Sequence, residues 1–482
     1  MTSVIQNSPV LVVDLDGTLV ATDMLVESFI RLLIEKWYLI PWYVLVIPFV
    51  FFTQGKSGIK IYFAKRIEID SQNLPYRQEV LEYLREARRN GVRLILASAA
   101  AQSFVTKINE HLRLFDAVYG TTEGNNLKGK KKLEQILKIT DGQDFDYIGD
   151  TKADIPIWKQ AKNKFVVSSR LGFASLLRKE SNLIHLVVCH EARWQLIIKE
   201  FRIHQWAKNL LLIVPALTAH KWHDSLALAD IVVGFFSFSA VASAVYVLND
   251  LADLDSDRLH RTKKHRPFAS GDLPLIVGAL LVPVLLLIGL GLASVISVSF
   301  LNVVLGYLVL TTLYSFWLKR IALIDILTLA SLYTLRLFAG AAIVVAPISQ
   351  WLAAFSMFIF FSLASLKRYV EVADARRVDK KEIKGRGYSP DDLEVISHFG
   401  ITSGLVAVLV LALYVNSEEV TSLYTLPNRL WALCPLFFYW IARLWLKASR
   451  NQMYEDPILF AIRDPGSLVT GLLVITSVIV SL

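Results

Sequence analysis

The sequence predicts an α/β doubly wound soluble domain with a helical cap, followed by an all-α polytopic membrane bundle of about nine transmembrane helices. Three observations lead there. Short β-type runs at residues 10–13, 94–97 and 145–148 alternate with helical stretches, the pattern of a parallel sheet covered on both faces. Residues 207–482 are mostly long apolar runs. The hydrophobic content of 54% and the mean hydropathy of +0.47 exceed what a soluble globular chain carries, and the excess is uneven along the chain. The expected boundaries are 1–180 for the soluble domain with its cap at about 24–83, 181–206 for an amphipathic linker, and 207–482 for the membrane part. The formal net charge of +9 (51 Lys and Arg against 42 Asp and Glu) needs no nucleic-acid partner. Basic loops on the inner side of a membrane explain it, and an anionic substrate adds to it. Cys189 and Cys434 have no metal-ligand spacing and read as unpaired and structural. The start, MTSVIQNSPV, lacks the charged-then-apolar layout of a signal peptide, so a cytoplasmic N-terminus is expected.

Taken in order, Val10–Val13 ends in Asp14-Leu15-Asp16-Gly17-Thr18. Two carboxylates two residues apart at the carboxyl end of a strand can divide phosphoryl transfer between them. Asp14 attacks phosphorus and Asp16 protonates the leaving oxygen. Leu94–Ala97 leads to Ser98, a hydroxyl placed to bind phosphate. Lys132, in LKGKKKLEQIL, can neutralise phosphate and nucleophile together, with Lys130 and Lys131 as neighbouring alternatives. Phe145–Ile148 leads to Gly149-Asp150, with Asp154 one helical turn on, as Mg2+ ligation requires. The set Asp14/Asp16, Ser98, Lys132 and Asp150/Asp154, over residues 9–170, resembles the haloacid dehalogenase superfamily of phosphatases. That resemblance implies Asp14 as nucleophile, Asp16 as general acid and base, and Mg2+ held by Asp14, the Asp16 carbonyl and Asp150. The alternative is a degenerate relic domain, against which every expected polar position is filled.

The superfamily inserts its helical cap where residues 24–83 lie. Trp37–Phe52, WYLIPWYVLVIPFVFF, is almost wholly apolar and aromatic, only 16 residues long, and interrupted by Pro41 and Pro48. It is short for a span of about 20 residues. Its Trp and Tyr suit the membrane interface, so a cap dipping into the bilayer is expected, against a buried pair of core helices. Between this domain and the first span, a mixed apolar and charged helix at about 190–201 is expected to lie along the membrane surface.

Nine apolar stretches read as spans: 207–219, 228–248, 273–293, 296–317, 323–345, 351–366, 397–415, 428–446 and 465–482. With the N-terminus inside, the basic residues collect in loops on the cytoplasmic face. They include Lys319 and Arg320, a long run from Lys367 to Arg386 with Lys380, Lys381 and Lys384, then Lys447 and Arg450. The loop Asn249–Pro267, NDLADLDSDRLHRTKKHRP, joins two spans on that same side. Asn249, Asp250, Asp253 and Asp257 fall along one face of a helix leaving the membrane. The carboxylates suit hard divalent cations, and Arg258, Arg261, Lys263, Lys264 and Arg266 suit a diphosphate. A merely topogenic loop needs the basic residues and has no use for the acidic ladder.

This ladder on a multi-span helical domain resembles the UbiA superfamily of intramembrane prenyltransferases, over about residues 200–482. The resemblance implies an all-helical bundle with a Mg2+-dependent diphosphate site at a membrane-open cavity. Further stretches look like its decaprenyl-phosphate phosphoribosyltransferase branch: His204–Asn209, Lys367-Arg368-Tyr369 with Glu371, and Glu455-Asp456 with Arg463-Asp464. Aromatic prenyltransferases of the superfamily usually carry a second Asp-rich motif. Here Tyr314 and Lys319-Arg320 are followed by the single Asp325, and Arg336 lies at membrane depth. An arginine there faces a cavity or a partner, so Arg336 is a substrate-site candidate, with a structural pairing to Asp325 as the alternative. Lys208 reads equally as a site residue or a snorkelling anchor.

The expected reaction is Mg2+-dependent transfer of phosphoribose from phosphoribosyl diphosphate (PRPP) to a polyprenyl phosphate. Asp250, Asp253 and Asp257 hold the metal, and Asn249 binds metal or substrate. Arg258, Lys264, Arg266, Lys367 and Arg368 are available for the phosphates. The soluble domain then removes the 5-phosphate, giving polyprenyl-phosphoryl ribose, a sugar-donor lipid for envelope polymers. The chain is expected in a bacterial-type inner membrane with both sites cytoplasmic. Other readings are a quinone-type aromatic prenyltransferase with an unrelated phosphatase, and a transporter or lipid-binding regulator with a cation site.

Overall fold

The computed structural model describes residues 9–168, 183–188, 193–377, 386–453 and 456–482. Cys189, Lys380, Lys381, Lys384 and Glu455, named above, lie outside the described residues. The chain divides into two compact units, Met1–Phe201 with Tyr246–Val282, and Arg202–Val245 with Pro283–Leu482.

The first unit is built on six strands: β1 (Val10–Val13), β2 (Arg93–Ala101), β3 (Ala117–Thr121), β4 (Phe145–Gly149), β5 (Lys164–Ser168) and β6 (Leu183–Val188). Their order is β3-β2-β1-β4-β5-β6, with every pairing parallel. Every residue of β1 is buried, which is why VLVV shows no alternation of apolar and polar residues. Val13 pairs with Leu96 on one side and Ile148 on the other. The residues that follow β1 and β4 therefore emerge side by side where the strand order reverses, the place at which a doubly wound sheet keeps its site. β6 lies inside the stretch expected as a linker. LIHLVV pairs with β5 in parallel, and the helix expected at about 190–201 is found at Arg193–Phe201.

Helix α1 (Met24–Glu35) begins at Asp23, whose carboxylate accepts from the N–H groups of Leu25 and Val26 at 2.9 and 3.1 Å. Helix α2 (Ile40–Ala64) runs through both prolines that were expected to interrupt it. Pro41 sits in the first turn, where no N–H is needed, and Pro48 is accommodated in the interior. The break falls instead at Gly55, with φ of 66°. By length and composition residues 37–64 could cross a membrane. The part ahead of Gly55, residues 40–54, covers only about 22 Å at about 1.5 Å per residue, short of a roughly 30 Å hydrocarbon core. A buried helix pair is ruled out, because Leu45 and Phe52 are 70% and 84% exposed.

Among the described residues seven helices are long and apolar enough to cross a membrane, or eight if one bent pair is counted. Besides 37–64 they are Ser225–Ala252, Leu275–Ile296, Val298–Phe316, Ile324–Val344, Gln350–Arg377 and Pro390–Val415, and the bent pair is Pro457–Arg463 with Pro465–Ser481, meeting at 82°. The count of nine is corrected at 207–219, where the chain forms 3-10 turns over Ile203–Ile213 and a short helix Val214–Thr218. Lys208 and Asn209 are buried there against polar side chains, which an isolated span could not offer them. The stretch 428–446 becomes turns at Pro427–Ala432 and a 17-residue helix, Leu433–Ser449. In the second unit Leu363, Leu366, Ala407, Ile441 and Trp445 share one core. Lipid tails are as apolar as these residues, so bonds such as Trp445 Nε1 to Ser362 Oγ (3.1 Å) help to fix which faces meet.

Candidate active sites

A cavity of about 1240 Å³ opens at the carboxyl edge of the sheet, lined by Asp14, Asp16, Lys132, Asp150 and Asp154 among others. Lys132 Nζ lies 2.9 Å from Asp14 Oδ1 and 3.5 Å from Asp154 Oδ1. This geometry selects it over Lys130 and Lys131, which are exposed. Asp14, Asp150 and Asp154 each bring one oxygen to within 4.8 Å of the others, an arrangement able to hold a metal ion. Asp154 is fixed by the Tyr147 hydroxyl at 2.7 Å and by the N–H and hydroxyl of Thr151 at 3.1 and 3.0 Å. Asp150 Oδ1 is buried with no hydrogen-bond partner. A buried carboxylate oxygen without a donor is costly until a cation reaches it, so this donor set fits a hard divalent ion. Gly17, at φ of 74°, is needed here, because a Cβ would strike the Asp150 carboxylate.

Burial pushes the Asp14 carboxyl up to about 6, against the pull of Lys132. Asp16 and Asp150 are also raised, first by burial and then by neighbouring carboxylates. Burial opposes the Lys132 cation, but Asp14 and Asp154 outweigh it and hold the ammonium above its ordinary value. Asp16 Oδ1 accepts from the Met24 N–H at 3.0 Å, which ties this group to the start of α1. Ser98 does not meet its expectation. β2 runs on to Ala101, so Ser98 is fully buried and accepts from the Ala100 N–H at 3.0 Å, while Ala99, Ala100 and Ala101 line the cavity. Arg77 also lines it, donating to the Gly17 carbonyl at 3.2 Å, a role that no motif spacing marks.

The acidic ladder is divided between two helices of the chain. Asn249 and Asp250 end the Ser225–Ala252 helix, while Asp257 lies in Leu254–Leu259. The single continuous helix expected across them is broken at Asp253, although the Asp253 and Asp257 N–H groups still donate four residues back at 2.8 Å. Arg266 Nη1 joins Asp250 and Asp257, at 2.9 and 2.6 Å. Among the described residues the grouping of three metal-holding carboxylates is the one at Asp14, and two ladder carboxylates have this arginine between them instead. Arg258, expected at a substrate phosphate, forks onto the fully buried Glu27 at 2.8 and 3.1 Å and donates to the Ala269 carbonyl at 3.3 Å. Glu27 also accepts from Arg31 at 2.8 Å, and Arg31 grips Asp255 at 2.6 and 2.7 Å. Burial raises the Glu27 carboxyl, yet Arg258 and Arg31 outweigh it and hold it below its usual range. Sequence reasoning missed Glu27 and Arg31, whose one signal is a charged pair four residues apart in an apolar helix. Lys264 stands exposed in the Lys263–His265 turn.

In the second unit Lys208 and Lys367 converge on Asp456 at 2.8 and 3.2 Å, so Lys208 is a buried ion-pair partner and not a snorkelling anchor. Arg368 pairs with Asp325 and Glu371, and the Tyr314 hydroxyl donates to Asp325 at 2.8 Å. Arg386 reaches the same carboxylate at 3.3 Å. With Asp325 so occupied, its suggested pairing with Arg336 is not made. Arg336 donates to Asn209 Oδ1 at 3.0 Å, with its guanidinium 5.2–5.4 Å from the rings of Phe238, Tyr307 and Tyr333. Lys319 lies in the Leu318–Arg320 turn.

Comparison with known proteins agrees with this architecture. The haloacid dehalogenase-like hydrolase family matches residues 11–159 and the UbiA prenyltransferase family matches residues 210–460. The uncharacterized protein y4nM of Sinorhizobium fredii is 36% identical, over 98% of this chain and 91% of that protein. Nodulation protein NoeC of Azorhizobium caulinodans is 35% identical over 56% of this chain and 87% of its own length. The decaprenyl-phosphate phosphoribosyltransferase of Corynebacterium glutamicum is 33% identical over 42% of this chain and 62% of that enzyme. With a haloacid dehalogenase-like hydrolase domain ahead of its apolar helices, the chain belongs to the UbiA prenyltransferase family.

Proposed function

We propose that the protein is a two-step membrane enzyme of the bacterial inner membrane, with both sites on the cytoplasmic face. The first step transfers phosphoribose from PRPP to a polyprenyl phosphate. An oxygen of the lipid phosphate bonds to ribose C1 as the C1–O bond to diphosphate breaks. The acceptor is already an anion, so no general base is required. In this reading Asp250, Asp253 and Asp257 hold Mg2+, with Asn249 on metal or substrate. Arrival of the charged donor frees Arg266 for the diphosphate, with the exposed Lys264 available to its phosphates. Arg258 is then a positioning residue, because its guanidinium is committed to Glu27.

In the second step the Asp14 carboxylate attacks the 5-phosphate of the product, forming an aspartyl phosphate that water hydrolyses. Asp16, raised by burial, carries the proton given to the leaving ribose oxygen. Lys132, 2.9 Å from Asp14, balances the negative charge that gathers there. Asp14, the Asp16 carbonyl and Asp150 would hold Mg2+, which would supply charge neutralisation at the phosphoryl oxygens. The observation that carries the two-step reading is that residues 246–282, with the acidic ladder, belong to the same compact unit as the Asp14 cavity. The name of the Corynebacterium glutamicum relative supports the choice of donor and acceptor. The test supplies the purified protein with PRPP, polyprenyl phosphate and Mg2+ and follows lipid mass and free phosphate. Asp14→Asn should accumulate the lipid one phosphate heavier, and no lipid product from the unaltered protein would refute the reading.

A further inference from the structure

The cavity at Asp14 is larger than hydrolysis of a sugar phosphate requires. Its 1240 Å³ exceeds the roughly 300–1,000 Å³ common for small-molecule sites. The additional wall is apolar and comes from three places: Leu25 and Val26 of α1, Phe51 and Ile59 of α2, and Leu275 and Ile276 at the start of Leu275–Ile296. Two of these elements are among the helices apolar enough to cross a membrane. The turn that introduces Leu275 is pressed against the loop after β1. At Gly271, with φ of 81°, a Cβ would lie 2.5 Å from that of Ala21. α2 presents Phe51 to the cavity while Leu45, Phe49 and Phe52 stand 67–84% exposed, an uncovered apolar face on the same helix. Lys56 and Lys128, both exposed, also line the cavity. A soluble sugar phosphate would use the carboxylate end and leave this wall without a partner.

We propose that the cavity is a composite site for a phosphomonoester carried on an isoprenoid lipid. The monoester sits at Asp14, a second phosphate between sugar and tail meets Lys56 and Lys128, and the tail leaves along Phe51, Leu275 and Ile276 into the bilayer. This rests on the two-step reading and deepens it: part of the phosphatase's substrate specificity lies in residues 271–276, outside the hydrolase domain. The test uses the full chain in lipid nanodiscs with two synthetic substrates, farnesyl-phosphoryl ribose 5-phosphate and ribose 5-phosphate. The farnesyl compound should show a kcat/KM at least tenfold higher. Phe51→Ser and Ile276→Ser should each lower that ratio at least fivefold, mainly through KM. A ratio near one in the unaltered protein, or equal losses on both substrates, would overturn the proposal. Should Ile276→Ser fail to insert, Phe51→Ser on the cap decides alone. Transfer from PRPP is assayed separately, so its absence beside an intact ratio counts against the two-step reading and not against this one.

Discussion

The two carboxylate clusters of the first unit differ in what balances their charge. At Asp14 three carboxylates face the single Lys132, and Asp150 Oδ1 has no hydrogen-bond partner. At the ladder one arginine, Arg266, already joins Asp250 to Asp257. Burial first, and neighbouring carboxylates second, raise the acids of the first cluster, and a cation would offset both. The second has Arg266 between two of its carboxylates and Lys263 3.8 Å from Asp257, so a cation placed between Asp250 and Asp257 would have to displace the arginine. One chain thus shows two settings for clustered acids, one raised by burial and one bridged by an arginine.

The comparison breaks most sharply at Asp14. Asp14→Asn should reduce hydrolysis of p-nitrophenyl phosphate by at least about a thousandfold, since no other group can form the aspartyl phosphate. Persistent hydrolysis would remove the first cluster from catalysis. At the ladder, Asp253→Ala should lower PRPP-dependent lipid formation by on the order of a hundredfold, the loss of one fixed electrostatic partner of the donor. Arg266→Met should act mainly on the KM for PRPP, and labelled-lipid assays across PRPP concentrations separate the two effects. Equal kcat and unchanged KM in Arg266→Met would show that the arginine is not displaced onto substrate.

The anchoring of the ladder segment to α1 yields a stability contrast. Glu27→Gln leaves Arg31 and Arg258 short of a buried counter-charge and should destabilise the protein by roughly 3–5 kcal/mol, read by thermal or denaturant unfolding. Lys65→Ala, which breaks a pair whose side chains are 66% and 76% exposed, should cost less than about 1 kcal/mol. The smallest effect concerns pH. The folded-state value of Asp14, about 6, lies above its ordinary 3.8, so its proton favours the folded form. That contribution is complete below about 3.8 and is lost as pH rises through about 6. In EDTA-treated protein the melting temperature should fall by a few degrees across this window, and added Mg2+ should abolish the fall. A flat profile without metal would mean that the carboxylates do not strain the site.

The acids that line the Asp14 cavity could be placed from the sequence because each follows a short apolar run, and strand ends meet wherever parallel strands pair. Asp14, Asp16 and Asp150 needed nothing more. Ser98 misled because alanines continue β2 past it, and small apolar residues give no sign of where a strand stops. Lys132 could not be told from its neighbours, since which of three adjacent lysines turns inward depends on how their helix packs. The prolines of α2 looked like breaks, yet Gly55, a residue that can take positive φ, is where the helix turns. At 207–219 apolar composition implied a span, and the buried partners of Lys208 and Asn209 lie 248 and 30 residues away.

Composition and spacing were enough to establish a parallel sheet with acids at its carboxyl edge, a set of apolar helices, and an acidic ladder between two of them. Those features are local, carried by residues within a few turns of one another. The pairing of Glu27 with Arg258 across 231 residues, the arginine between Asp250 and Asp257, and the apolar wall that Leu275 and Ile276 lend to the Asp14 cavity all follow from folding. Charge partners distant in sequence leave no periodic trace, because any of many oppositely charged residues would satisfy the same pattern until the chain has closed around one of them.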